Sequence, residues 1–111
     1  MTPDELAKGR CVPLSGAAHR LDAARIAELL ALLPGWELAG NEIARTFKFN
    51  HYEETLDFVN EVARLAQRED HHPDMAFGYN RCRVAYSTHS VGGISMNDFF
   101  CAARIEALLR A

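Results

Sequence analysis

A chain of 111 residues, 49% hydrophobic and 24% charged, suits one compact domain and is too short for two. Its net charge of -3, with arginines scattered instead of striped, supplies no basic field for a phosphate backbone and excludes nucleic acid as a direct ligand. Cys11, Cys82 and Cys101 are odd in number and lack a Cys-x-x-Cys pair, which excludes a disulfide framework or zinc knuckle and points to a reducing compartment.

Residues 1–19 carry Pro3, Gly9, Pro13 and Gly16 with little periodicity and read as an irregular arm. The arm begins acidic and polar, without an apolar leader. No run approaches the ~20 apolar residues of a membrane span, so no membrane association and a soluble, cytoplasmic protein are expected. From Leu21, apolar residues at Ile26, Leu29, Leu30 and Leu33 recur at helical spacing until Pro34-Gly35 ends the pattern, with Asp22 suited to the positive helix end.

Trp36–Leu38 and Ile43–Phe49 flank Gly40-Asn41 as a hairpin whose apolar side is Ile43, Phe47 and Phe49, interrupted by Arg45. A second helix is predicted from Tyr52 to Arg68, with Leu56, Val59, Val62, Ala63 and Ala66 as its stripe and Phe58 and Leu65 widening it. Pro73 disfavours helical geometry at His72, so this helix is expected to end near Asp70 or His71 and to hold the His71-His72 pair at its carboxyl end. The partial negative charge of that end, with Glu69 and Asp70, favours imidazolium.

Alternation through Met75, Phe77 and Tyr79, then Cys82, Val84 and Tyr86, predicts a second hairpin turning near Tyr79-Asn80. Gly92-Gly93 breaks the chain, and Ser95-x-x-Asp98 opens a last helix as a capping-box-like start. The order α-β-β-α-β-β-α implies an α+β two-layer domain: a four-stranded antiparallel sheet with three helices on one face. The last helix has more apolar surface than one sheet contact needs, in Phe99, Phe100, Cys101, Ala103, Ile105, Leu108 and Leu109, which predicts a homo-oligomer through it.

Three of the five histidines, His71, His72 and His89, are spaced so that a hairpin sheet could bring them together. Imidazole titrates near neutrality, so such a group can donate and accept protons at working pH. A solvated helix end is the plainer explanation of His71-His72-Pro73. Metal binding is disfavoured because adjacent histidines diverge on a regular backbone and no acidic residue stands at ligand spacing. No Gly-x-Ser-x-Gly elbow or His-paired cysteine supports a covalent nucleophile. Asp98 can serve as a cap, a site residue or both. Trp36 can anchor the core or stack on a planar ligand, and Tyr79 reads more readily as a sheet residue.

The run His71-His72-Pro73, then Tyr79, His89 and Asp98-Phe99, together with Gly35-Trp36 and Thr88-His89, resembles the signature of the pterin-4a-carbinolamine dehydratases over roughly residues 20 to 110. That resemblance implies a four-stranded sheet assembling as a homodimer or homotetramer. It also implies elimination of water from 4a-hydroxytetrahydropterin, the product of aromatic amino acid hydroxylases, to quinonoid dihydropterin, without metal or organic cofactor. By the same resemblance His71, His72 and His89 are catalytic, with His71 and His89 the acid/base pair and His72 orienting the pterin. Pro73, Thr88, Asp98 and Trp36 join these histidines in binding substrate, with Asp98 orienting an imidazole or contacting the ring and Trp36 bordering the pocket.

Two positions depart from the family pattern: Gln67 stands where an ionisable residue, often Glu, precedes the first His, and the arm has one cysteine where related bacterial chains have a pair. The resemblance allows two other roles. One is dimerisation cofactor of a homeodomain transcription factor, as animal members are. The other is work on a different pterin, as in molybdenum cofactor metabolism.

Overall fold

Period-two patterning places Ile43, Phe47, Cys82, Val84 and Tyr86 on one sheet face, and the strands pair accordingly. A computed structural model describes residues 1–110. Strands β1 (Glu37–Ala39), β2 (Glu42–Lys48), β3 (Asp74–Phe77) and β4 (Arg81–Tyr86) form one antiparallel sheet in the order β1-β2-β4-β3. Ile43 lies opposite Tyr86 and Phe47 opposite Cys82, so the apolar residues of both central strands share a face, and all five are buried.

Helices α1 (Pro3–Ala7), α2 (Ala23–Leu30), α3 (Tyr52–Glu69) and α4 (Met96–Arg110) complete the α+β fold. Phe58 of α3 meets Phe47 and Phe49 at ring separations of 4.7 and 5.1 Å, docking the helix on the sheet. The buried stripe of α3 is Thr55, Phe58, Val62, Leu65, Ala66 and Glu69. It is rotated from the predicted one: Ala63 is exposed and Leu56 only half-buried. Thr55 and Glu69 can lie inside because each is hydrogen-bonded: Thr55 Oγ1 donates to the Tyr79 carbonyl at 2.9 Å, and Glu69 holds the arm.

The arm is not irregular throughout. Thr2 Oγ1 accepts the Glu5 amide at 3.1 Å and Glu5 Oε1 accepts the Thr2 amide at 3.0 Å, a complete capping box that starts α1. Leu6 is fully buried against the core that includes α4, and the Phe100 ring lies directly over Gly9, where an added Cβ would come within 2.2 Å of it. Part of the apolar surplus of α4 is thus covered by this chain's own amino-terminal segment.

Arg45 does not disrupt its face. Its guanidinium lies 4.7 Å from the Phe47 ring centre and its Nη1 donates to Glu106 at 2.7 Å, while Trp36 Nε1 donates to the same carboxylate at 2.9 Å. One glutamate of α4 therefore ties the first hairpin to the last helix. None of the helices among the described residues is long and apolar enough to cross a membrane.

Candidate active site

The end of α3 sets the first candidate side chain. Asp70 adopts left-handed backbone geometry (φ 50°, ψ 42°), the His71 amide donates back to the Ala66 carbonyl at 3.1 Å, and the Asp70 amide to Gln67 at 3.4 Å. This is a Schellman ending, which satisfies the last carbonyls and turns the chain sharply. Pro73 then directs it into β3. His71 is thereby fixed by its own backbone, with its ring stacked on Tyr86 at 5.3 Å and 16°.

The start of α4 supplies its partner. Asp98 is fully buried, and its Oδ2 accepts the Ser95 amide at 2.9 Å, closing the first turn from inside. The same Oδ2 accepts the Thr88 hydroxyl at 2.9 Å, and Oδ1 lies 2.6 Å from His71 Nε2. A carboxylate only accepts, so the directions follow: Ser95 Oγ donates to Thr88 Oγ1 at 2.7 Å and itself accepts the Asn97 amide at 3.2 Å. Asp98 is both cap and histidine partner. With Nε2–H committed to Asp98, Nδ1 is the nitrogen of His71 left to exchange protons.

Burial disfavours charge on His71, but the hydrogen bond and charge of Asp98, aided by Cys101 and Asp70, raise its pKa above the ordinary imidazole value. Glu69 is desolvated, yet the Cys11 amide, Arg104 and Arg10 outweigh that and hold its carboxyl below the usual range. Cys11 Sγ and Cys101 Sγ lie 3.5 Å apart. Cys101 loses its proton more readily through this contact and the nearby His71, while Cys11 is pushed up.

His71, Thr88, Asp70 and Arg68 line a cavity of about 490 Å³, closed on another side by residues 11–14 of the arm. That volume is within the usual range for a small-molecule site, roughly 300–1,000 Å³. Glu69 Oε1 accepts the Cys11 amide at 2.9 Å, and Asn97 Oδ1 and Nδ2 pair with the Val12 amide and carbonyl at 3.2 and 2.7 Å. Sequence reasoning noted Glu69 only as a charge near the histidines and passed over Asn97, Arg68 and the arm as site components. Only spatial proximity identifies them.

The structure gathers His71, Thr88 and Asp98, but not all the predicted residues. His72 is exposed, and its Nε2 lies 3.4 Å from Gln67 Oε1, so the departing glutamine sits beside the second histidine. His89 is exposed in a short 3-10 turn (His89–Val91) and lines a second, smaller cavity of about 140 Å³ with Asn41, Ser87 and Gly92, which shares Thr88 with the first. Among the described residues no three His, Cys, Asp or Glu side chains converge as a metal cage would require. Pro73 lines neither cavity.

Trp36, expected to border the pocket, is instead a core residue. It is 5% exposed, edge-on to Phe47 at 6.0 Å, with its N–H engaged by Glu106. Tyr79 is exposed at the hairpin turn and stacks on Tyr52 at 6.3 Å.

Residues 19–108 match the family described as pterin 4 alpha carbinolamine dehydratase. Provisionally named pterin-4-alpha-carbinolamine dehydratases of Stenotrophomonas maltophilia strain K279a and Nitrosospira multiformis are 54% and 47% identical. These alignments cover 93% and 98% of this chain and 90% and 96% of theirs. A crystal structure described as a transcriptional coactivator/pterin dehydratase from Brucella melitensis superposes with a TM-score of 0.77 at 33% identity, over 80% of this chain and 97% of that one. A pterin dehydratase-like protein described as a RuBisCO assembly factor in the alpha-carboxysome shares the fold, with a TM-score of 0.55 at 23% identity over 66% of this chain and 84% of its own. The chain belongs to the pterin-4-alpha-carbinolamine dehydratase family.

Proposed function

We propose that this protein eliminates water from 4a-hydroxytetrahydropterin to give quinonoid dihydropterin, recycling the cofactor of an aromatic amino acid hydroxylase. The observation that carries this reading is the 2.6 Å contact of His71 Nε2 with buried Asp98 at the wall of a ligand-sized cavity. Asp98 keeps Nε2 protonated and favours imidazolium, so Nδ1–H is an acid available near neutral pH.

In the reaction the C4a–O bond breaks as an acid protonates the departing hydroxyl, which leaves as water. The N5 electron pair forms the C4a=N5 bond, and the N5 proton passes to a base. The acid's proton is replaced by the one lost from N5, so no net proton is consumed. His71 is assigned the first transfer and His89 the second, with His72 orienting the ring. Thr88 holds the Asp98 carboxylate in place. No organic cofactor or metal enters the scheme.

The test generates the 4a-carbinolamine with an aromatic amino acid hydroxylase and follows its ultraviolet decay. Acceleration over the spontaneous reaction is expected, with His71→Ala slower by ~10²-fold or more. An unaccelerated decay overturns the proposal. Retention of wild-type rate by a His71/His89 double variant overturns the role assignments.

Self-association through α4 is part of the same reading. It rests on Leu109, 46% exposed beside half-buried Leu108 and Phe49 at an open groove against α3. Light scattering on the gel-filtration peak is expected to give a dimer or tetramer, and a monomer mass overturns this. Three free thiols suit a reducing, cytoplasmic setting.

A further inference from the structure

Residues 11–14 stand before the segment that matches the family, yet they close one side of the cavity that holds His71. We infer that this arm is part of the substrate site and that Leu14 is a specificity-determining side chain, selecting among substituents on the pterin ring. The inference rests on the dehydratase reading above.

Three anchors hold the arm. Glu69, whose side chain is 3% exposed, accepts the Cys11 amide at 2.9 Å and Arg10 Nε at 3.0 Å. Asn97 grips Val12 through both its amide and its carbonyl. Ser90 Oγ donates to the Leu14 carbonyl at 2.6 Å, and its own carbonyl accepts the Gly16 amide at 2.9 Å. Each anchor is within two residues of a proposed proton-transfer or positioning residue: Glu69 of His71, Ser90 of His89 and Asn97 of Asp98. The framework that places those residues therefore also places the arm, and the wall is prebuilt instead of draped.

The chemistry of the wall separates its role from that of His71. Val12, Pro13 and Leu14 carry no group that can exchange a proton, so they act on binding and shape and not on bond cleavage. Cys11 has its thiol engaged with Cys101. Leu14 lines the cavity, is half-buried and has its backbone held at the carbonyl, whereas Val12 is 53% exposed. Selection by such an apolar wall is a matter of fit, of order 10–200-fold for a small change in volume.

The experiment compares wild type, Leu14→Trp, Leu14→Ala and Val12→Trp on two carbinolamines, generated from 6-methyltetrahydropterin and from tetrahydrobiopterin. Leu14→Trp is expected to raise KM for the bulkier substrate about ten-fold more than for the smaller, with kcat within about two-fold, and Leu14→Ala to narrow the wild-type preference. Val12→Trp, at an exposed position, repeats the test where Leu14 variants melt early.

An unchanged ratio of kcat/KM between substrates in all three variants overturns the inference while leaving the dehydratase reading intact. A wild type that does not accelerate either reaction overturns that reading instead, and the arm is then judged by calorimetric titration with 7,8-dihydrobiopterin. Weaker binding to Leu14→Trp than to wild type supports the arm's role. Equal binding, or none to wild type, overturns it.

Discussion

His71 Nε2 lies 2.6 Å from Asp98 Oδ1, joining the segment just after α3 to the first turn of α4. Because the other oxygen of Asp98 caps α4 through Ser95, one side chain has a structural and a chemical task. Asp98→Asn is expected to lower turnover by ~10²-fold or more. It should also reduce stability by about 1–3 kcal/mol, since buried donors lose a charged acceptor. His71→Gln should cost comparable activity with a smaller shift in the denaturation midpoint. Equal destabilisation by the two would contradict the cap.

The pH dependence has a definite sign. The folded-state pKa of His71 is raised, so its contribution to stability is fully present below the ordinary imidazole value near 6.5 and disappears as pH rises through the raised value. The stability difference between wild type and His71→Gln, from urea unfolding, should therefore be larger at about pH 6 than at about pH 9. A difference that grows with pH would contradict the assignment.

Asp70 occupies the left-handed position that ends α3. A β-carbon there costs about 1 kcal/mol or more, a cost absent in Gly and offset in Asp, but not in Ala, by local hydrogen bonding. Asp70→Gly should thus be about 1 kcal/mol more stable than Asp70→Ala by urea denaturation. Both should move the His71 titration, followed by NMR, to lower pH, because Asp70 is one of the charges raising it. Equal stability of the two variants would place the origin of the turn elsewhere.

Tyr86 is fully buried and its hydroxyl has no close nitrogen or oxygen partner among the described residues, the Cys101 thiol being its polar neighbour. Tyr86→Phe keeps the ring stacked on His71 and removes a hydroxyl whose polar neighbour, the Cys101 thiol, is only a weak hydrogen-bonding group, so it should be neutral or stabilising by up to about 1 kcal/mol. A loss of about 2 kcal/mol in the thermal melt would mean that the hydroxyl has a real partner.

Much of this was legible in the sequence because it depends on local patterning. Period two in Ile43–Phe47 and Cys82–Tyr86 predicts both hairpins and the buried face, and Pro73 places the end of α3 within a residue or two. Ser95-x-x-Asp98 marks the start of α4. The buried stripe of α3 was rotated because Thr55 and Glu69 are inside, and periodicity counts only apolar residues. Thr2-x-x-Glu5 was a readable capping box, but the prolines and glycines after it drew the whole segment toward an irregular reading.

At the site, His71 and Asp98 were both legible and the resemblance allowed Asp98 to orient an imidazole, but which imidazole it meets was not, since the 2.6 Å contact joins the ends of two helices. Of the two places open to Trp36 the core is the one it takes, which the sequence could not decide: its partner, Glu106, lies in α4, and that ion-paired carboxylate makes a buried indole N–H comfortable in the core. The arm was missed altogether because its anchors are single polar residues with no spacing to betray them.

His71, Thr88 and Asp98 come from three segments that meet only when the whole chain is docked, and Thr88, Ser95 and Asp98 are sealed from solvent. Groups so protected open with the domain as a whole and not by local fraying. For the proposed dehydratase, turnover is therefore a gauge of native concentration: in a denaturant titration the rate and circular-dichroism curves should superimpose, making the assay a direct count of folded molecules in a crude extract.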